Sequence, residues 1–545
     1  MPPGQGTTAD SDVLVVGAGP AGLTTALQAH AHGATVRVVD RRANRARPSR
    51  AMMLHARALE GLRPLGVTDE LLNRADTTPE ARIHLGRHVV EARLGHADLP
   101  DTAFPHLTLV RQADVEDVLC QALQARGIHV DWGVEFHGFE REPALASTQS
   151  LVRAELQPAG GLGRNLAEHH VSRFLAGCDG QSSTVRGLTG AQWRGGPYGV
   201  EAVMADLELD GSLDEGLLHV AVGAAGLVFL FALGEGATWR MLATRPAAPA
   251  PGARFGQLGP PVSAEEVARL VGESGLGGSG LGAAVSEVRW SAQIPLQHRI
   301  ASTFGASPVF LAGDSAHAHS PAGGQGMNNG ILDALNLGWK LGFASSAGTP
   351  LPELLDSYGQ ERRLAARRVL ALTHVIFFGE ASPHPVARLV RSALPVFAPV
   401  LPLLLRRRWL TSKGIRLLAQ PFVNYRGSAI SRDRMPGAGG WPRPGERLPD
   451  GPASVGGRVA RLHDLTAVPG IHLLFERDAA PGTLGAGPAF PAGPGSPLVH
   501  VHRLTSHPGR GVVAVRPDGY VGYRCGEADP GELGSWLRLV GAAPG

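Results

Sequence analysis

The sequence predicts an α/β protein in three parts: a doubly wound domain on a mostly parallel sheet, a β-sheet domain inserted into it, and a smaller C-terminal domain. Three stretches carry that expectation. Residues 12–40 read as strand, glycine turn, helix and strand. Residues 174–186 read as a strand stopping at an acid and a glycine before a helix. Residues 309–341 read as a strand, an acid, a glycine-rich loop and a helix.

In the first stretch an apolar strand runs into Gly17, Gly19 and Gly22 at G-x-G-x-x-G spacing, with Ala21 inside the motif. A helix over 23–32 follows, ended by Gly33, and then a strand over 35–39 that stops at Asp40. The tight turn, the close approach to a pyrophosphate and the helix–strand packing each require one of the glycines, and the acid is placed to bind a ribose. Pro20 suits a first helical turn. Arg41 and Arg42 follow the acid, either as a solvated pair or as phosphate contacts.

The second stretch ends its strand at Asp179 and Gly180, with Ser182, Ser183 and Thr184 available to cap the next helix. The third ends its strand at Gly313 and Asp314, passes through a loop over 321–326, and starts a helix near Met327. An acid there can accept hydrogen bonds from cofactor hydroxyls. Gly323, Gly324 and Gly326 let the backbone approach a flat ring, and the helix start offers unpaired N–H groups to an anionic edge. Gln325, Met327 and Asn328 either cap that helix or face the ring.

Together the three motifs resemble those of the class A flavoprotein aromatic hydroxylases, over most of the chain. The resemblance implies that FAD is bound by Gly17, Gly19, Ala21, Gly22, Asp40 and Arg41, and that Gly313 and Asp314 hold its ribityl chain. It places Asp179 between FAD and the approach of NADPH or NADH. Gly324, Gln325, Gly326, Met327 and Asn328 are implied at the flavin ring, with Pro321, Gly326 and Met327 forming the environment of the reaction. Residues 50–60 are similar to the helix after the family's first Arg-rich loop, which implies a flavin or phosphate contact for Arg50. Residues 111–116 are similar to the segment whose Gln112, or Arg111 beside it, touches FAD.

The chemistry implied is hydride transfer from NADPH or NADH to FAD, addition of dioxygen at flavin C4a, and oxygen transfer from that hydroperoxide to an aromatic substrate. Phenols, polyketides and antibiotic-like molecules all belong to that substrate range. His55, His317 and Arg299 are acid–base candidates by position, His55 being the one retained. The alternative is an oxidase or reductase of the same fold without oxygen transfer. Flavin-dependent halogenation is excluded by resemblance to its motif: Trp290, Ile294 and Pro295 echo it, but Ala292 replaces the second tryptophan and no lysine precedes Lys340.

The resemblance assigns residues 11–75, 106–190 and 298–345 to a discontinuous FAD-binding domain and 76–105 with 191–297 to a substrate-binding domain. A helical connector covers 346–435. A thioredoxin-like domain over 436–545, entered through a Gly/Pro-rich linker at 436–451, lacks a cysteine pair and serves structure or dimerisation, so a homodimer is one expected assembly. Within it, Pro517, Asp518 and Gly519 between apolar runs signal a hairpin.

Composition excludes other classes. Of 545 residues 43% are hydrophobic, and the net charge of +3 comes without a long basic block, so no nucleic acid is expected. Cys120, Cys178 and Cys525 have no metal-ligand spacing, so no metal is expected, and a reducing cytoplasmic setting fits. The first ten residues lack a signal-peptide pattern. The most apolar run, 394–405, is interrupted by Pro395, Pro399 and Pro402 and is too short to span a membrane. It reads as a packed connector or interface, with a monotopic membrane contact as the minor alternative.

Overall fold

The computed structural model describes residues 8–542 apart from 46–48, 50, 86–87, 96–97, 144–149, 161–166, 223–225, 248–257, 275, 277–282, 348–350, 401–407, 421–422, 436–440 and 480–498. The strand Ser11–Val16 is the centre of the first sheet. It pairs in parallel with Glu168–Gly177 on one side and Val36–Asp40 on the other. Val309–Leu311 and Val130–Trp132 extend the parallel array outward, and the antiparallel strands Val134–Pro143 and Ser150–Pro158 hang from Glu168–Gly177. A strand covered on both faces must be apolar at successive positions, and Val13, Leu14 and Val15 are fully buried.

The first helix, Pro20–Ala31, packs on Gln325–Ser346 and Gln112–Gln124. It begins three residues earlier than the sequence suggests because Pro20 occupies its first turn, and Gln325–Ser346 likewise begins at Gln325. The two helices meet at van der Waals distance along glycines. A Cβ at Gly338 would lie 2.6 Å from the Gln28 Cβ, and one at Gly342 2.6 Å from the His32 Cβ.

The second sheet has eight strands. Its spine is the antiparallel pair Trp193–Asp210 and Ala284–Ala301, and Glu80–Leu85 with His88–Arg93 closes one edge. Alternation decides what each face does. Val203, Ala205 and Leu207 pack with Val267, Leu270 and Val271 of the helix Ala264–Glu273. Ala202 and Met204 point the other way, toward Ile294, Leu296 and Phe231. The other edge takes its last strand, His317–Ala318, from the third sequence motif, beside Arg299 and Ile300.

A five-stranded sheet near the C-terminus runs in the order Arg432–Arg434, Val521–Cys525, Val512–Val515, Ile471–Phe475, Val499–Arg503, and includes the hairpin turn at Gly519. Trp339, Phe343 and Leu354 share its core with Tyr523 and Trp536. The segment expected as a linker is bound where it is described: Gly445 N donates to Val521 O, and Arg447 pairs with Glu60 and Asp101. In the run at 394–405, Leu394 and Ala398 pack against Leu85 and Val90 of the second sheet. Val396 of the same run is 76% exposed, and 401–405 lie outside the described residues. No helix among the described residues is long and apolar enough to cross a membrane.

Buried charge fixes the helices to the C-terminal sheet. Glu361 accepts from Arg516 through two bonds of 2.7 Å, from Lys340 at 2.9 Å and from Ser428 at 2.6 Å, while Arg516 also reaches Asp518 at 2.6 Å. Breaking one member strands the others without solvent. Arg516→Ala is therefore expected to destabilise the protein by about 3–5 kcal/mol. A melting temperature unchanged from wild type in scanning calorimetry would contradict this.

Candidate active site

A cavity of about 370 Å³ opens where the parallel strands end and the second sheet faces them. Each parallel strand delivers one element of its wall. Ser11–Val16 delivers Gly17, whose φ of +103° and close approach exclude a side chain: a Cβ would lie 2.4 Å from the Cys178 carbonyl oxygen. Gly19 and Ala21 continue the wall, and the helix Pro20–Ala31 starts with neither a side-chain cap nor an acid in its first turn. Its N-terminal potential is thus left for a ligand. Gly22 stands behind, packed on Gly17 O.

Val36–Asp40 delivers Asp40. Its Oδ2 accepts from Ala18 N at 2.7 Å and its Oδ1 from Arg42 N at 2.8 Å, and the Arg42 side chain bonds both oxygens. Burial opposes the charge, but Arg42 outweighs it and holds the carboxyl below the usual range. Arg42 is therefore no solvated residue. It also bonds Ala18 O and Glu116 and lies over Trp132. Arg41 lines the cavity with an exposed side chain, 3.9 Å from Glu135.

Glu168–Gly177 leads to Asp179, whose Oδ2 accepts from Thr184 N and Val185 N while its Oδ1 is buried without a partner. Burial pushes this carboxyl up despite those bonds and the contact with Ser183. Ser183 is the helix cap, accepting from Arg186 N at 2.9 Å.

Val309–Leu311 leads to Gly313 and Asp314. Among the described residues the Asp314 carboxylate accepts from Gln181 Nε2 alone, at a long 3.5 Å, and it lines the cavity. Pro321, Gly324, Gly326 and Met327 complete this wall. Gly324 approaches Met53, to which a Cβ would stand at 3.1 Å, and the nearest atom to a Cβ on Gly326 would be His319 Cε1 at 4.0 Å. The helix Gln325–Ser346 also begins without a side-chain cap or an acid.

Several expected site residues stand behind the cavity instead of on it. His55 is buried off the cavity wall with its Nε2 2.9 Å from Gly323 O, and this position, behind the glycine loop, corrects its assignment to acid–base chemistry in the pocket. Asn328 bonds Met53 O at 3.0 Å and accepts from His55 N at 2.8 Å, and Gln325 donates to Leu418 O at 2.8 Å. These contacts shape the glycine loop from the rear. Arg111 is paired with Asp114 at 2.7 Å, whereas Gln112 lines the cavity. His317 is locked on Asp333 at 2.6 Å, and Arg299 donates to Trp193 O. Arg50 lies outside the described residues. Sequence reasoning missed His319 and the apolar wall of Ala202, Met204, Phe231, Leu242, Ile294 and Leu296. Strand alternation was the one available signal for that wall.

Two uncapped helix starts, a glycine-lined cradle and an Asp314 held by one long hydrogen bond fit a dinucleotide with a pyrophosphate and a polyhydroxy chain. Comparison with known proteins agrees. A family profile described as FAD binding domain matches residues 10–373. The 6-methylpretetramide 4-monooxygenase of Streptomyces rimosus is 34% identical over 66% of this chain, a match spanning 60% of that relative's length. A flavin-dependent monooxygenase of Mycobacteroides abscessus is 30% identical over 94% of this chain and 96% of its own. Among solved structures, aklavinone-11 hydroxylase in complex with FAD and aklavinone aligns with a TM-score of 0.74 and 26% identity, covering 98% of this chain and 99% of that one.

Gly17→Ala is expected to part the turn from the neighbouring strand and to reduce flavin retention about 5- to 150-fold, in line with strain of about 1–3 kcal/mol. Equilibrium dialysis against FAD measures it, and wild-type affinity would refute the close-approach argument.

Proposed function

The chain belongs to the FAD-binding-domain family of flavoprotein monooxygenases, and we propose that it hydroxylates an aromatic substrate with O2 and NADPH or NADH. The observation that carries this reading is the continuity of one cavity, from the strand-end cradle to an apolar pocket on the second sheet. Bound FAD supplies the redox chemistry that accepts hydride and delivers one oxygen atom from O2.

The chain's own residues position, stabilise and exclude. The turn from Gly17 to Gly19 and the Pro20–Ala31 helix start would hold the pyrophosphate, and Asp314 would accept from the ribityl hydroxyls. The Gln325–Ser346 helix start, with Gly326 and Met327, would face the ring, where its N–H groups stabilise negative charge. Met204, Phe231, Leu242, Ile294 and Leu296 keep water from the other end, which protects a reactive oxygen donor. No Lys or Arg lies on that apolar wall among the described residues, so a substrate carboxylate would lack a partner there. Neutral aromatic ring systems suit it.

NADPH or NADH would approach transiently from the Asp179 side. A cytoplasmic setting accords with three free, buried cysteines. We read the C-terminal domain as thioredoxin-like, acting in structure or dimerisation.

The purified protein is expected to be yellow, with one FAD per chain. Asp314→Ala should lower occupancy several-fold, read from the flavin-to-protein absorbance ratio, and full occupancy would remove Asp314 from the site. Phenols, polycyclic polyketides and ansamycins are expected to include a compound that stimulates NADPH or NADH oxidation and gains one oxygen. Hydrogen peroxide as the sole product with every compound would instead favour the oxidase reading.

A further inference from the structure

His319 is the residue of the third motif that the cofactor cradle does not use. It follows the strand His317–Ala318 at the edge of the second sheet and precedes Ser320 and Pro321, so it emerges between the two sheets. It lines the cavity, together with the apolar wall on one side and Gly326 on the other. The other ionisable groups on the lining, Asp40, Arg41, Arg42, Glu135, Cys178, Asp179 and Asp314, belong to the parallel-sheet domain.

The hydrogen bonding of the ring settles its tautomer. Nδ1 lies 2.9 Å from the Ser320 carbonyl oxygen. A carbonyl oxygen can only accept, so Nδ1 carries the proton and Nε2 holds the lone pair. Nε2 has no hydrogen-bond partner among the described residues, and it is not among the fully occluded polar atoms without partners. The orientation is held from behind. His317 lies parallel to His319 with ring centroids 6.1 Å apart, Phe304 stacks on His317 at 5.7 Å, and Asp333 grips His317.

We propose that His319 Nε2 is the base that takes the hydroxyl proton of a hydroxyarene substrate during hydroxylation. The inference rests on the hydroxylase reading above and deepens it by naming the substrate group, an aromatic hydroxyl. In the step the substrate O–H bond breaks, the Nε2–H bond forms, and the electron pair stays on oxygen, leaving the ring electron-rich toward an oxygen donor. The proton returns to solvent when the product leaves.

Burial and the neighbouring His317 keep His319 below its ordinary pKa and so neutral at pH 7, as a base must be. The Ser320 carbonyl, Asp314 and Asp333 act in the opposite direction and favour the imidazolium once the proton has arrived. Tyr198, which contacts Ser320, has its own pKa raised by burial and stays protonated. Beyond it, the rings of His298 and His374 pack on Tyr198 at 4.8 and 5.7 Å.

The test uses alizarin, a dihydroxyanthraquinone whose visible absorption changes when a hydroxyl ionises. The FAD-loaded protein is titrated with pH in the presence of the dye and without reductant. Wild type is expected to lower the dye's apparent pKa by about one unit, a tenfold shift in its ionisation. His319→Gln, which can bond the hydroxyl but cannot take its proton, is expected to abolish the shift while keeping FAD. His319→Asn serves as the second variant where glutamine disturbs flavin occupancy. A shift that survives in both variants, or no shift in wild type, overturns the proposal. The readout needs no turnover, so it is separate from the hydroxylase reading. Peroxide as sole product sinks that reading whatever the dye does, and oxygen transfer with an unshifted dye sinks only the role of His319.

Discussion

A single buried carboxylate, Asp333, fixes the geometry on which the rest of the cavity depends. Its Oδ2 accepts from Gly313 N at 3.0 Å and from His317 Nε2 at 2.6 Å, and its Oδ1 accepts from Arg362 Nε at 2.6 Å. A carboxylate cut off from water is tolerated only when its oxygens are fully used. Burial opposes its charge, but Arg362 and His317 together keep it below the usual range. The same oxygen that sets the turn before Asp314 therefore orients the histidine that backs His319. Arg362 carries the constraint outward to Asn329 Oδ1 at 2.7 Å and to the Tyr425 hydroxyl at 2.8 Å.

Around that anchor the site is built from groups left unused. The two helix starts have no caps, Asp314 has only a weak contact, and Asp179 keeps a buried oxygen unpaired. Such groups cost stability in a protein that binds nothing, because buried or converging polar atoms prefer partners. Their concentration on one cavity is the physical signature of a polar ligand. The opposite wall is apolar, so one opening offers two solvents, a polar one for a dinucleotide and a dry one for an aromatic ring.

The supports show why the motif residues divide into two kinds. Gly326 and Met327 face the cavity, while Gln325 and Asn328, on the same helical turn, point back to Leu418 O and Met53 O. Helical periodicity sends neighbours in sequence to different faces, so a motif read as one block contains both lining and bracing residues. The bracing residues reach across to His55 and Gln420, which links the glycine loop to the later helices.

The sequence alone determined the parallel sheet, the glycine turns and the acids at strand ends, because local backbone demands and strand apolarity are written in adjacent residues. Gly17, Asp40, Asp179 and Asp314 could be named that way, as could the hairpin before Val521. Only the tertiary structure decided that Arg42 belongs to Asp40, that His55 sits behind the loop, and that His319 opens into the cavity beside Met204 and Ile294. Those relations join residues up to 268 positions apart, or depend on which face a side chain takes once its neighbours are packed. Chain order carries no record of either until the two sheets meet.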